Sequence, residues 1–143
     1  MFKLKKILNK HNNAPELEIL PVALDTIAVR ESIYYLSQSE LANFLIDSTD
    51  YPAYYVVYAD FDEYADNRNA ECVRITPDMI FEVKCNGIPT VGLPFALEKE
   101  EGYIGGFRTI KIADSPNTAD GYIVDVTPYS KNGCVLVRFH CKQ

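Results

Sequence analysis

The carboxylates best placed to support metal or acid–base chemistry lie in one acidic run, DFDEYAD. They belong to Asp60, Asp62, Glu63 and Asp66. Oxygen-rich loops of this kind can hold calcium, but the EF-hand pattern requires carboxylates at alternate positions, then a glycine and a distal glutamate. Glu63 and Tyr64 break that spacing, and no glycine follows. The run therefore predicts a solvated loop at the end of a strand rather than a cation site.

The cysteines and histidines are not spaced as metal ligands or as a catalytic pair. Zinc ligands usually come in pairs about two to four residues apart, and the chain contains no C-x-x-C pair. A cysteine nucleophile needs a histidine and an orienting group, yet His11 and His140 lie in a loose segment and in a terminal strand. We therefore expect reduced, structural thiols. The cysteines are Cys72, Cys85, Cys134 and Cys141.

Motifs for other common reactions are equally weak. Gly102, Gly105 and Gly106 form neither a G-x-G-x-x-G fingerprint nor a P-loop. Glycoside hydrolysis needs two carboxylates that face each other across a cleft, and the sequence singles out no such pair among its 20 acidic residues. The prediction is a protein that is not an enzyme and uses no metal or cofactor.

Charge is divided unevenly along the chain, whose formal net charge is −6. Residues 1–11 hold four lysines and no acid, so 10 of the 14 basic residues and all 20 acidic residues lie beyond them. An acidic balance argues against a general nucleic-acid binder. No window has the roughly 18 consecutive apolar residues of a membrane helix, and the basic start lacks the apolar run of a signal peptide. We therefore expect synthesis in a cytoplasm and no membrane partner.

The elements that would position these residues are mostly strands. The 143 residues are 48% apolar and 12% aromatic, which suits one domain rich in β structure. About eight short strand-like runs recur at intervals of roughly ten residues, with turn signals at Thr76–Asp78 and Asn86–Gly87. Residues 38–47 fit either a strand or the one short helix, with Ser39 as its N-cap. The sequence thus predicts a single all-β barrel or sandwich.

The first 24 residues predict an extended N-terminal arm, and residues 25–143 predict the β body. Residues 2–8 form either a basic strand or a short amphipathic helix, and residues 9–15 end it. Residues 17–24 are apolar, but Pro21 confines them to an edge or an arm. The arm is either a solvated terminal strand or a segment that docks on a partner.

Four segments resemble the small head decoration, or auxiliary capsid, proteins of tailed bacteriophages. They are KLKKILNKHNNAPELEILPVA, DYPAYYVVYADFDE, VRITPDMIFEVKCNG and DGYIVDVTPYSKNGCVLVRF, and together they cover about half of the chain. The third is the most similar, through its Arg-Val-Thr-Pro-Asp-Met-like core. Residues 86–120 depart from the family pattern because they carry extra prolines and glycines.

The resemblance implies a non-enzymatic virion protein, made in the host cytoplasm, that binds the outer capsid surface. Its partner would be the major capsid protein, whose subunits it would bridge as a homo-oligomer such as a trimer, without contacting nucleic acid or membrane. We expect the arm to supply both apolar and charged contacts. Its contact residues would be Phe2, Lys3, Leu4, Lys5, Lys6, Ile7 and Leu8. The alternative is an acidic binding module of the immunity or inhibitor type, which would mask a basic partner with Asp60, Asp62 and Glu63.

Overall fold

The described part of the chain is built from short β-strands. A computed structural model describes residues 1–8, 15–43, 52–58, 69–126 and 133–140. A single 3₁₀ turn at Pro116–Thr118 is the helical element within these ranges. The strands are β1 (Lys3–Ile7), β2 (Glu18–Pro21), β3 (Ile33–Ser37), β4 (Glu40–Ala42), β5 (Tyr54–Val57), β6 (Asn69–Arg74), β7 (Met79–Asn86), β8 (Pro94–Glu98), β9 (Thr109–Ile112), β10 (Gly121–Asp125) and β11 (Cys134–Phe139).

Six strands form a sheet that closes into a five-stranded barrel. Their order is β1-β7-β11-β10-β8-β9, and β7 also pairs with β9, in parallel. The eight-residue β7 can do this because one of its edges is shared: β1 pairs with residues 79–82, and β9 pairs with Cys85 and Asn86. The predicted all-β barrel is confirmed, with β1 as an additional strand on its wall.

The other five strands form a second sheet in the order β2-β6-β5-β3-β4. Its two outermost strands meet at a bridge between Val22 and Leu41. A second bridge, between Ile33 and Phe107, joins this sheet to the barrel through a reciprocal pair of 2.9 Å backbone hydrogen bonds. The two sheets therefore form one packed body.

Alternation along the strands separates core from surface. In β7 the side chains of Phe81, Val83 and Cys85 are buried, whereas Glu82 and Lys84 point outward, as the sequence pattern predicts. Aromatic rings fill the barrel end around Phe139, at centroid distances of 5.0–5.9 Å. Its ring neighbours are Phe2, Tyr54, Phe81 and Phe95.

The centre of the second sheet is buried on both of its faces. Ile33, Val56 and Val73 pack into the barrel core, while Tyr34 and Tyr55 on the opposite face belong to a smaller apolar cluster. A strand buried on both faces reads as a continuous apolar run rather than an alternating one. The run YYVV of β5 is an example.

The first eight residues differ from an extended arm. Phe2 and Ile7 are each 1% exposed and belong to the barrel core. β1 is hydrogen-bonded along β7, and β2 along β6. Two large apolar side chains within the six residues 2–7 gain more from burial than from solvent exposure, so β1 is part of the body. Pro21 does lie on an outermost strand, as the sequence predicts.

Residues 38–43 form a hairpin instead of the start of a helix. Ser37 pairs with Glu40, which leaves Gln38 and Ser39 as a two-residue loop with φ of 51° and 65°. Positive φ at both positions is the requirement of a type I′ turn. Ser39 is therefore a turn residue and not an N-cap. Residues 44–47 of the predicted helix lie outside the described ranges.

Replacing this loop with its preferred residues should stabilise the protein. Left-handed backbone costs an ordinary L-residue about 1 kcal/mol or more, and Asn-Gly adopts a type I′ turn with less strain. We expect the double variant Gln38→Asn/Ser39→Gly to raise the free energy of unfolding by about 1 kcal/mol, measured by urea denaturation. Unchanged or lower stability would contradict this account of the turn.

A second prediction concerns the glycine that follows Gly105. A Cβ on Gly106 would lie 2.6 Å from the Ile33 carbonyl oxygen and 2.6 Å from the Tyr34 ring. We expect Gly106→Ala to cost about 3 kcal/mol of stability, because overpacking against backbone cannot relax cheaply. Gly102→Ala is the control: it has open space around it and a φ of 74°, so backbone strain alone should cost about 1 kcal/mol. Equal losses in the two variants would argue against steric overlap at Gly106.

Candidate protein-binding face

Four neighbouring strands of the barrel present one continuous outer face. The sheet order places β1, β7, β11 and β10 side by side. Since their alternate side chains fill the core, the remaining side chains point to solvent in cross-strand rows. We call this surface the outer barrel face. It consists of Lys3, Lys5, Lys6, Ile80, Glu82, Lys84, Cys134, Leu136, Arg138, Tyr122, Val124 and Asp125.

This face is basic although the protein is acidic. Five of its side chains are cationic, and Glu82 and Asp125 are its carboxylates, in a chain whose net charge is −6. Lys5 forms an ion pair with Glu82, with Nζ and Oε2 3.6 Å apart. Arg138 donates a 2.6 Å hydrogen bond from Nε to the Pro77 carbonyl, which holds its guanidinium against the Thr76–Asp78 turn. Two of the five cations are therefore held in place by contacts within the barrel.

Half-buried apolar side chains lie among these charges. Ile80 pairs with Lys6, Leu136 pairs with Glu82, and Tyr122 pairs with Arg138 across the strands. An interface that combines apolar contacts with a charged rim is common where proteins bind one another. The arrangement suits a protein surface better than a small molecule, because it is a sheet face and not a concave pocket.

A register shift in β1 explains how its lysines share this face. The pairing skips one residue between Leu4 and Lys6, so Lys5 is the additional residue of a β-bulge. Lys5 and Lys6 are both exposed as a result, although adjacent residues on a regular strand point to opposite faces.

The structure divides the predicted contact residues into two groups. Lys3, Lys5 and Lys6 are exposed on the outer barrel face. Phe2 and Ile7 are buried in the core, and Leu4 packs against that core, so these apolar side chains serve the fold. Leu8 is half-buried. Partner binding by this segment stays a prediction, and the fully exposed members of the predicted set are the three lysines.

The acidic run, the histidines and the cysteines that the sequence singles out lie partly outside the described residues. Asp60, Asp62, Glu63 and Asp66 lie outside the described residues, as do His11 and Cys141. Within the described ranges, no three His, Cys, Asp or Glu side chains are grouped as metal ligands. The remaining three cysteines carry free thiols, and burial raises the pKa of Cys72 to about 12, so its nucleophilic thiolate is scarce.

A half-buried carboxylate that sequence patterns do not reveal lies where the two sheets meet. Asp120 accepts a 2.6 Å hydrogen bond from the Tyr54 hydroxyl of β5 and a 2.8 Å hydrogen bond from the Leu97 backbone nitrogen of β8. Its own backbone bonds to Phe95 and His140. In sequence, Asp120 ends a polar turn-rich loop, and nothing local indicates a tyrosine partner far along the chain. Asp120 therefore links the second sheet to the barrel through hydrogen bonds to both.

Burial sets the protonation of this group. Desolvation raises the pKa of Asp120, and the hydrogen bonds from Tyr54 and Leu97 oppose that shift only in part. A carboxyl with a raised pKa in the folded state binds its proton more tightly there than in the unfolded chain. Its contribution to stability is therefore greatest below about pH 4 and falls as pH rises through the folded pKa.

The variant Asp120→Asn should remove this dependence. The amide oxygen can still accept the hydrogen bond from the Leu97 backbone nitrogen, and the amide group can still hydrogen-bond to the Tyr54 hydroxyl, but the amide does not ionise. We expect the stability of the unmodified protein relative to the variant to decline from pH 4 to pH 7, measured by urea denaturation at each pH. A constant difference across this range would mean that Asp120 does not titrate with a raised pKa.

Comparison with known proteins returned no relative for this chain. No family model, no curated protein and no solved structure matches it. Within the residues that the structure describes, no helix has the length and apolarity to cross a membrane.

Proposed function

We propose that this protein is a non-enzymatic structural protein of a tailed-phage virion that decorates the outer capsid surface. One observation carries the proposal. Three of the four segments that resemble decoration proteins contain β1, β7 and the pair β10 and β11, which are neighbours in one sheet. Segments that are far apart in the chain thus contribute to one surface, the outer barrel face, as a shared binding function would require.

The chemistry of that face supports a protein partner. Its net positive charge suits an acidic surface of the major capsid protein, and its half-buried Ile80 and Leu136 add apolar contact. The closed barrel behind it holds these side chains on strands rather than on loops, which limits the entropy lost on binding.

The size of the face implies that one copy binds weakly. Four strands about 4.8 Å apart and about six residues long cover roughly 400 Å², whereas a standard interface buries about 800 Å² on each partner. Copies linked as a homo-oligomer, such as a trimer, would bind a symmetric shell through several such contacts at once. By bridging capsid subunits in this way, the protein would stabilise the virion surface on which it resides.

Charge reversal on the outer barrel face tests the proposal better than deletion of the N-terminal strand, because that deletion would remove Phe2 and Ile7 from the core. Lys6 and Lys84 are exposed, and neither pairs across strands with Glu82. We expect Lys6→Glu/Lys84→Glu to lose at least about tenfold in affinity for heads of the phage that encodes the chain. Co-sedimentation at several salt concentrations measures this loss.

The matched control is Arg30→Glu/Lys99→Glu, which changes the net charge equally at two exposed cations outside the four strands. Thermal melting should show that both double variants stay folded. If the control weakens binding as much as the test variant, or if the unmodified chain does not bind heads, the proposal fails. A tight one-to-one complex with a basic protein, lost on reversal of Asp60, Asp62 and Glu63, would instead support the alternative acidic binding module.

A further inference from the structure

β2 presents an exposed, apolar strand edge on the side of the molecule built by the second sheet. It is an outermost strand of that sheet and pairs with β6 on one side. Ile19 is 67% exposed and Leu17 is 54% exposed, although both are large apolar residues. Leu20, which lies on the opposite face of the strand, packs against the smaller apolar cluster. Leu17 and Ile19 thus form a small apolar surface with no covering element among the described residues.

The hydrogen-bonding pattern shows which backbone groups of β2 point outward. The Glu71 carbonyl accepts from Tyr58, on the β5 side, so Ala70 and Cys72 direct their backbone groups towards β2. Their partners are Leu20 and Glu18. The backbone N–H and C=O groups of Leu17 and Ile19 therefore point away from the sheet. Pro21 occurs in the same outward series, where its missing N–H costs no ladder bond.

This free edge has a defined end. Beyond Pro21, the backbone nitrogen of Ala23 donates a 2.9 Å hydrogen bond to the Leu41 carbonyl of β4, and Val22 forms a bridge to the same residue. The edge available for pairing is therefore residues 15–20. β1, the outermost strand of the other sheet, differs because it carries three lysines, a common means of preventing edge pairing.

Charge around the β2 edge indicates what can bind there. Glu18 of β2 and Glu16 just before it are exposed on the face opposite Leu17 and Ile19. The exposed Glu71 of β6 lies opposite Ile19, on the same face as Ile19. Pairing of this edge with the same edge of a second copy would bring these carboxylates together, and like charges in close proximity repel. An incoming strand with basic side chains would experience attraction at the same positions.

We propose that the β2 edge binds an extended segment of another protein in which basic and apolar residues alternate, by strand addition to the second sheet. Backbone hydrogen bonds to Leu17 and Ile19 supply the pairing, and their side chains supply apolar contact on one face. Glu16 and Glu18, on the other face, select a basic partner. This surface is separate from the outer barrel face and does not depend on attachment to a capsid.

The test uses the full chain and the peptide acetyl-KVKVKV-amide, followed by amide NMR shifts. We expect saturable shifts at residues 16–20 and 69–72. The peptides acetyl-EVEVEV-amide and acetyl-KVKPKV-amide should give none, because the first is repelled and the second lacks a central N–H donor. Absence of saturable shifts with acetyl-KVKVKV-amide at millimolar concentration would overturn the proposal.

Two variants separate strand addition from general charge attraction. Ile19→Pro removes an outward N–H without breaking the β2–β6 ladder and should abolish binding, whereas Ile19→Val should retain it. Glu18→Lys should weaken binding about tenfold at low salt, because Glu18 lies on the face that the lysines of the bound peptide share. This second variant decides the matter if Ile19→Pro fails to fold. Equal binding by Glu18→Lys and the unmodified chain, or self-association through this edge in light scattering that Ile19→Pro abolishes, would also overturn the proposal.

Discussion

The rest of the structure depends on the double pairing along one edge of β7. β1 occupies the first half of that edge and β9 occupies its end, in opposite directions. This arrangement closes the barrel, provides the inward row that meets Phe139, and leaves the outward row that carries Glu82 and Lys84. Because side chains alternate with a period of two, a slip of one residue in β7 would move its core residues to the surface. Core packing and surface charge are thus specified by one register.

The two sheets are held together by contacts of different kinds. The Ile33–Phe107 bridge supplies backbone pairing, the rings around Phe139 supply apolar burial, and Asp120 supplies a directed hydrogen-bonding link from Tyr54 to Leu97. Apolar packing alone tolerates small shifts, whereas a half-buried carboxylate with two donors accepts few geometries. This link has an energetic cost, because the ionised form of the Asp120 carboxyl group is poorly solvated. The junction is therefore the part of the fold in which stability and protonation are linked.

Sequence patterns predict the features that depend on neighbouring residues. The alternation of Phe81 and Val83 with Glu82, the turn at Thr76–Asp78 and the edge position of Pro21 all follow from local chemistry. Sequence patterns do not predict features that depend on contacts with residues far away in the chain. Phe2 is part of the core because Phe81 and Phe139 provide its site, and the partner of Asp120 is Tyr54, which lies 66 residues away in the sequence. The segment after Ser37 has helical spacing, but its pairing with β3 outweighs that preference. The lysines of β1 were identifiable in sequence, whereas their common face with Lys84 required the sheet order.

The bulge in β1 has a consequence for how the chain folds. Among the described residues the strand partner of β1 is β7, so while the intervening residues are being synthesised Phe2 and Ile7 lack the core that buries them. Pairings between distant parts of a chain form slowly, and exposed apolar strands aggregate in the meantime. Charged residues that flank such strands act as gatekeepers against aggregation. The bulge allows Lys5 and Lys6 to stay in solvent after β1 has docked, so the same lysines that protect the nascent strand remain on the surface of the finished barrel.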